Sequence, residues 1–166
     1  MTFPKRQFVM AIPSGNDETI LGKFKLAKHT ELTKIGLRVY LHGLSSFTGN
    51  EEIRLYVFME GNLKNSIGLS DYVPISKIKD LGTTNWLGWV NIPFSTSVPL
   101  SKDITYHVGI KVSGTYTPNL SSYISGVFDW PLSIYPTLFD PASTKIDKHP
   151  ISMIIYGLPY ELFKHK

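Results

Sequence analysis

Apolar and polar residues alternate with period two along most of the chain, the pattern of strands buried on one face. In Thr33–Leu41, Ile35, Leu37, Val39 and Leu41 fall on one face and Lys34, Gly36, Arg38 and Tyr40 on the other. Glu52–Glu60 sets Ile53, Leu55, Val57 and Met59 against Arg54, Tyr56, Phe58 and Glu60. Ile104–Val112 sets Ile104, Tyr106, Val108, Ile110 and Val112 against Thr105, His107, Gly109 and Lys111. Thr19–Leu26, Trp86–Phe94 and Tyr123–Trp130 follow the same rule less cleanly. Ile151–Gly157 is apolar on both faces except at Ser152, as in a strand covered on both sides or one that meets a partner. Between these runs lie stretches rich in Gly, Pro, Ser, Thr and Asn, which favour turns: Gly43–Asn50, Gly61–Ser66, Lys79–Asn85, Gly114–Ser122 and Pro131–Pro150. No long window carries a helical period; short helical turns are expected only at Ser70–Leu81 and Asp140–Asp147.

Alternating strands joined by turns imply an all-β fold, a two-sheet antiparallel sandwich that is jelly-roll-like. The shared period assigns Ile35, Leu37, Val39, Ile53, Leu55, Val57, Val90, Ile92, Val108 and Ile110 to its core. At 166 residues the chain is long enough for one core, so residues 1–166 read as a single domain, with a sandwich at about 19–158 and arms at both ends. The absence of cysteine excludes disulfides, thiolate metal sites and thiol nucleophiles. It suits a protein made in a reducing cytoplasm. Neither a signal peptide nor an apolar run long enough to span a bilayer is expected. The net charge of +4 is spread along the chain rather than clustered, which argues against nucleic acid as a partner.

Candidate chemistry is sparse. The nearest approach to a nucleophile elbow, Gly68-Leu69-Ser70-Asp71, lacks the second glycine. His29, His42, His107, His149 and His165 form no metal-ligand spacing; His107, on the polar face of a strong strand, is the most interesting. Glu60 and Asp129 are the strand carboxylates that a glycosidase would need, but nothing in the sequence brings them together. Asn16-Asp17-Glu18 and Asn50-Glu51-Glu52 are weak candidates for a structural Ca²⁺. The expectation is therefore no enzyme, no catalytic residue, no metal and no cofactor. Aromatic placement remains. Tyr56 and Phe58 lie opposite the apolar face of their strand, and Tyr40 lies on the corresponding face of the preceding one. Flat rings outside a sheet core serve a protein contact or a sugar platform. Asn85-Trp86-Leu87-Gly88-Trp89 is a second cluster, in which one tryptophan belongs to the core and the other is free for contact. Tyr160 and Phe163, in the tail after the final strand, complete the candidate contact surface.

The order of these motifs resembles a known group. Leu32-Thr33-Lys34-Ile35-Gly36-Leu37-Arg38-Val39-Tyr40-Leu41 precedes Ile53-Arg54-Leu55-Tyr56-Val57, then Trp89-Val90-Asn91-Ile92-Pro93-Phe94, then Val98-Pro99-Leu100-Ser101-Lys102-Asp103-Ile104-Thr105-Tyr106-His107-Val108-Gly109-Ile110. Over roughly residues 19–130 this is similar to the carbohydrate-binding-like jelly rolls of bacteriophage virion proteins, with Asp103 standing where a turn glycine is common. The resemblance implies a non-enzymatic virion structural protein, such as a capsid decoration (auxiliary) protein or another head or tail component. Such a protein is an oligomer that contacts other virion proteins and is made in the host cytoplasm. The alternative is a glycan-binding, receptor-binding module.

Overall fold

The computed structural model describes residues 6–12, 19–80, 82, 84–113, 123–130 and 153–159, with side-chain environments for 22–80, 82, 84–113, 124 and 153–159. The strands are β1 (Arg6–Ile12), β2 (Thr19–Lys25), β3 (Thr30–His42), β4 (Glu52–Met59), β5 (Gly68–Leu69), β6 (Val73–Pro74), β7 (Asn85–Leu100), β8 (Thr105–Ser113), β9 (Tyr123–Trp130) and β10 (Met153–Pro159). A helical turn, α1 (Ile75–Ile78), falls inside a stretch expected to hold one, and a 3-10 turn, Leu44–Ser46, falls in a stretch read only as a turn-rich connection. Asp140–Asp147, expected to hold another, lies outside the described residues.

Two antiparallel sheets pack face to face. In the first, β3 pairs with β7 along one edge. Its other edge is shared end to end by β10, beside Thr30–Leu37, and β9, beside Val39–His42, with β1 outside β9. In the second, the order is β2-β8-β4, and the short β5 and β6 both pair with β4. Counting β5 and β6 as one interrupted strand and β10 as an addition, the first sheet runs first-eighth-third-sixth. The second runs second-seventh-fourth-fifth. That connectivity is a jelly roll, two interlocked Greek keys. The N-terminal stretch expected to be an arm is, over Arg6–Ile12, a strand of the chain's own sheet.

The core lies between the sheets and contains all ten residues that the alternation assigned to it. Phe47, Ile75, Phe94, Leu100 and Tyr106 join them. Asp103 is the one non-glycine among the described residues with positive φ, at 63°, and its N–H donates to the Leu26 carbonyl at 2.8 Å. An aspartate here adopts the left-handed conformation that glycine takes more freely, so the turn into β8 is kept without glycine.

The sheets depart from regular register where β3 meets β7. From Leu32 opposite Val98 to Lys34 opposite Pro93, β3 advances two residues while β7 advances five. Residues Phe94–Ser97 therefore form a wide excursion on an edge strand. Bulges of this kind re-aim side chains at sheet edges.

Candidate functional site

Two surfaces emerge. The first is the outer face of the first sheet. With Ile35, Leu37 and Val39 inward, register places Tyr40 beside Leu87, Arg38 beside Trp89, Gly36 between Asn91 and Ile154, and Lys34 between Pro93 and Tyr156. Leu87, Ile154 and Tyr156 are exposed, and Trp89 is 49% exposed. Gly36 leaves room here: a Cβ would stand 3.3 Å from the Tyr156 ring and 3.1 Å from the Asn91 side-chain oxygen, so both side chains would have to shift by a few tenths of an ångström to admit one. The absent side chain lets Tyr156 lie across β3, where the Lys34 ammonium sits 4.4 Å from its ring centroid. Tyr40, half-buried, bonds through its hydroxyl to Nδ1 of His42 at 2.9 Å. The result is an aromatic and apolar face with two cations, Lys34 and Arg38, on its central strand.

This arrangement sorts the aromatic candidates. Trp89 faces outward, whereas Trp86 is half-buried, packs against the core and folds its indole over Gly88, where any Cβ would collide with it. One tryptophan is thus core and the other surface. Tyr40 and Tyr56 do not share a face, because β3 and β4 belong to different sheets. Phe58 is not a contact residue. It does lie opposite Leu55 and Val57 as alternation predicts, yet it is only 2% exposed, stacked on Tyr56 at 6.4 Å between centroids and opposite His107 in the register. Alternation tells which face a side chain takes, not whether that face is covered. The final strand, β10, turns Met153 and Ile155 toward the core, while Ile154, Tyr156 and Leu158 are exposed, Leu158 at 67%. Tyr160 and Phe163 lie outside the described residues.

The second surface is an open cleft of about 560 Å³ at the seam between the sheets. Arg54 of β4, the segment Ile67–Tyr72 and the excursion Ser95–Val98 line it. Its construction is local. The Ser70 N–H donates to the Leu55 carbonyl at 2.9 Å, and its hydroxyl accepts from the Leu55 N–H at 2.7 Å and donates to the Asp71 carbonyl. Gly68 admits the close approach of Val98, which a Cβ would overlap. The Asp71 N–H donates to the Pro93 carbonyl, and the Asp71 carboxylate accepts from both the N–H and the hydroxyl of Ser95. Those two bonds, with the nearby Arg54 charge, hold the Asp71 carboxyl below its ordinary value. The excursion of β7 is thereby tied to the edge of the second sheet.

Arg54 dominates the cleft. Its Nε donates to the Ser70 carbonyl at 2.8 Å and Nη1 to the Tyr72 hydroxyl at 3.2 Å. The guanidinium lies 4.5 Å from the Tyr72 ring centroid and 6.0 Å from that of Tyr56. Tyr72 itself is 46% exposed. Sequence reading placed Arg54 on a polar strand face without singling it out and passed over Tyr72. The stretch Gly68–Asp71, weighed there for nucleophilic catalysis, is instead the rim of this cleft, and its Ser70 hydroxyl is spent on the backbone.

Among the described residues the remaining candidates are not brought together beyond the pair Glu60 and His107, and His149 and His165 lie outside those residues. Glu60 follows β4 in one sheet and Asp129 belongs to β9 in the other. Glu60 Oε1 is 3.5 Å from Nε2 of His107, and His107, 5% exposed, has its Nδ1 buried without a hydrogen-bond partner among the described residues. Glu51, weighed for Ca²⁺, spends its carboxylate within the chain. Oε2 accepts from the N–H of Thr48 at 3.0 Å and its hydroxyl at 2.8 Å, and Oε1 accepts from the Gly49 N–H at 2.9 Å. Burial alone would raise the Glu51 pKa; these bonds outweigh it and lower it. Asn16-Asp17-Glu18 lies outside the described residues. Among the described residues no three His, Asp or Glu side chains gather as metal ligands, and no helix is long and apolar enough to cross a membrane. No family model matches the chain, and no curated protein matches it.

Proposed function

We propose that this chain is a non-enzymatic structural module of a virus particle, acting through protein–protein contacts made by the outer face of its first sheet. The observation that carries the reading is that face: Leu87 and Trp89 of β7 and Ile154 and Tyr156 of β10 project on either side of β3, which sets Lys34 and Arg38 between them. Exposed apolar surface marks an interaction site, and exposed tryptophan and tyrosine beside arginine are the usual anchors of an interface. The jelly roll is a frequent architecture of viral capsid and lectin domains, which supports the setting by analogy of fold. The test is co-sedimentation with purified virions whose genome carries the coding sequence. Wild type is expected to travel with the particles, and Trp89→Ser combined with Ile154→Ser, folded by circular dichroism, to lose at least about tenfold in attachment. A wild-type protein that never co-sediments, or a double variant that attaches at full strength, refutes it.

A second reading, a glycan-binding module, draws on a different feature. The cleft at the seam combines a fixed cation, an exposed tyrosine ring and the hydroxyl residues Ser95, Thr96 and Ser97. A flat apolar ring edged by hydrogen-bonding groups is what a sugar requires.

A further inference from the structure

From the Arg54–Tyr72 cleft we infer a ligand class: a sugar acid, its carboxylate held by Arg54 and its ring lying on Tyr72. The inference rests on the glycan-binding reading and narrows it.

Arg54 is half-buried, yet it lacks a carboxylate within ion-pair distance among the described residues. Asp71, which shares the cleft, gives both its oxygens to Ser95 instead. Among the described residues, two of the five guanidinium N–H donors are used, on the Ser70 carbonyl and the Tyr72 hydroxyl. Those two bonds and the Tyr72 stack fix the plane of the group, so little side-chain freedom is left to lose when an anion arrives. The remaining donors suit the paired oxygens of a planar oxyanion.

The surroundings select among anions. Asp71 remains ionised beside Arg54 and offsets its charge. Attraction to Arg54 and repulsion from Asp71 partly cancel for any anion, so the choice among anions falls to the uncharged lining. The floor and rim explain the rest of the ligand. Ile67, Leu69, Tyr72 and Val98 present apolar surface, and Thr96 presents a hydroxyl from the β7 excursion, while the Ser95 and Ser97 hydroxyls donate to Asp71 and Glu31. A bare carboxylate such as acetate uses none of these, whereas a pyranose ring with a carboxylate uses all of them. At about 560 Å³ the opening is large enough for one or two sugar units, which stay partly solvated.

The experiment is a titration followed by ¹H–¹⁵N correlation spectra of the whole chain. Glucuronate and N-acetylneuraminate are the probes; glucose, acetate, inorganic phosphate and the peptide Gly-Asp-Gly are the comparators. At least one sugar acid is expected to shift the amides of Ser70, Asp71, Ser95 and Thr96 saturably, and to bind at least about tenfold more tightly than any comparator. Arg54→Gln is expected to weaken that binding at least about tenfold. If Arg54→Gln loses its dispersed spectrum, Tyr72→Ala, at an exposed ring, supplies the same comparison. Acetate or phosphate binding as tightly as the sugar acids would make this a simple anion site and overturn the inference. Tighter binding of Gly-Asp-Gly would make the occupant an acidic peptide, with the same result. Glucose binding in the cleft regardless of Arg54 would reject the acid while sparing the glycan reading. No saturable shift with any sugar up to about 50 mM would reject both.

Discussion

Glu51→Gln isolates what a buried carboxylate contributes to this fold. Glu51 is fully buried, and its two oxygens accept three hydrogen bonds from Thr48 and Gly49. Gly49 has φ 96°, so the loop turns through a conformation that glycine adopts freely. The backbone of Glu51 accepts in turn from Ile75 at the start of α1, so the same residue joins two loops. Glutamine has one acceptor oxygen where glutamate has two. Whichever way the amide turns, its NH₂ must face a donor, and the remaining bonds lose their charge assistance. Hydrogen bonds to charged groups contribute about 1.5–3 kcal/mol each and an unsatisfied buried donor costs about 1–3 kcal/mol. Allowing for relaxation of the loop, the substitution is expected to cost about 2–3 kcal/mol at pH 7. The sign of the pH dependence follows from the lowered pKa. Below the unfolded value, about 4.3, the unfolded state binds the proton first, so the stabilisation is present above that pH. It is lost as pH falls through the lower folded value. Urea melts of wild type and variant at pH 7, 5 and 3 measure the gap. It is expected to hold between pH 7 and 5 and to shrink to less than about 1 kcal/mol near pH 3. A gap that is absent at pH 7, or that stays constant down to pH 3, refutes the assignment of the stabilisation to the ionised carboxylate.

Leu55→Ala removes a fully buried side chain opposite Ile110 and is expected to cost about 2–5 kcal/mol in denaturant melts; a loss under about 0.5 kcal/mol contradicts its place in the core. His107→Leu replaces a buried ring whose Nδ1 has no partner among the described residues, so stability is expected to hold or to rise by up to about 1 kcal/mol, and a loss above about 2 kcal/mol would reveal a bond the ring makes. Gly157→Ala drives a Cβ into the Glu31 carbonyl across the β10–β3 pair. Hydrogen exchange is expected to show the amides of Met153–Leu158 deprotected while those of β4 and β8 stay slow; unchanged protection of β10 contradicts the close approach.

β7 serves both candidate surfaces, and its sequence shows how one strand does so. Its first half, through Ile92, keeps strict alternation, with Trp86, Val90 and Ile92 inward and Leu87, Trp89 and Asn91 outward. An edge strand with unpaired backbone invites pairing with another chain. Here Pro93 and Pro99 remove donors from that strand, the excursion breaks its line, and Asp71 pairs with the backbone on both sides of Phe94. The contact face is thus left to side chains, while the part of the edge that is not straight becomes the wall of a cleft.

How far the sequence could be read follows from the same geometry. Period-two alternation is a local property, so the inward positions of β3, β4, β7 and β8 were legible, as was the sandwich that encloses them. Topology is not local. In a jelly roll, β3 and β4 are successive in the chain yet belong to opposite sheets, so Tyr40 and Tyr56, on matching faces of their strands, end on opposite sides of the molecule. Arg54 and Tyr72 meet because the chain doubles back after β4 and pairs with it twice, through β5 and then β6. Those strands are two residues each, too short for any periodic signal. The excursion of β7 leaves no trace in alternation either, because Phe94 and Val98 keep the same parity as Val90 and Ile92 while Phe94–Ser97 lie unpaired with β3 between the paired stretches. The asymmetry has a physical root. A side chain's face is decided by its two neighbours, so the core is written in every strand. A cleft between sheets is decided by which edges meet, and it is marked by single residues whose spacing carries no period: a glycine at 68 that lets Val98 approach, an aspartate at 71 that holds Ser95, and an arginine at 54 that bonds the Ser70 carbonyl.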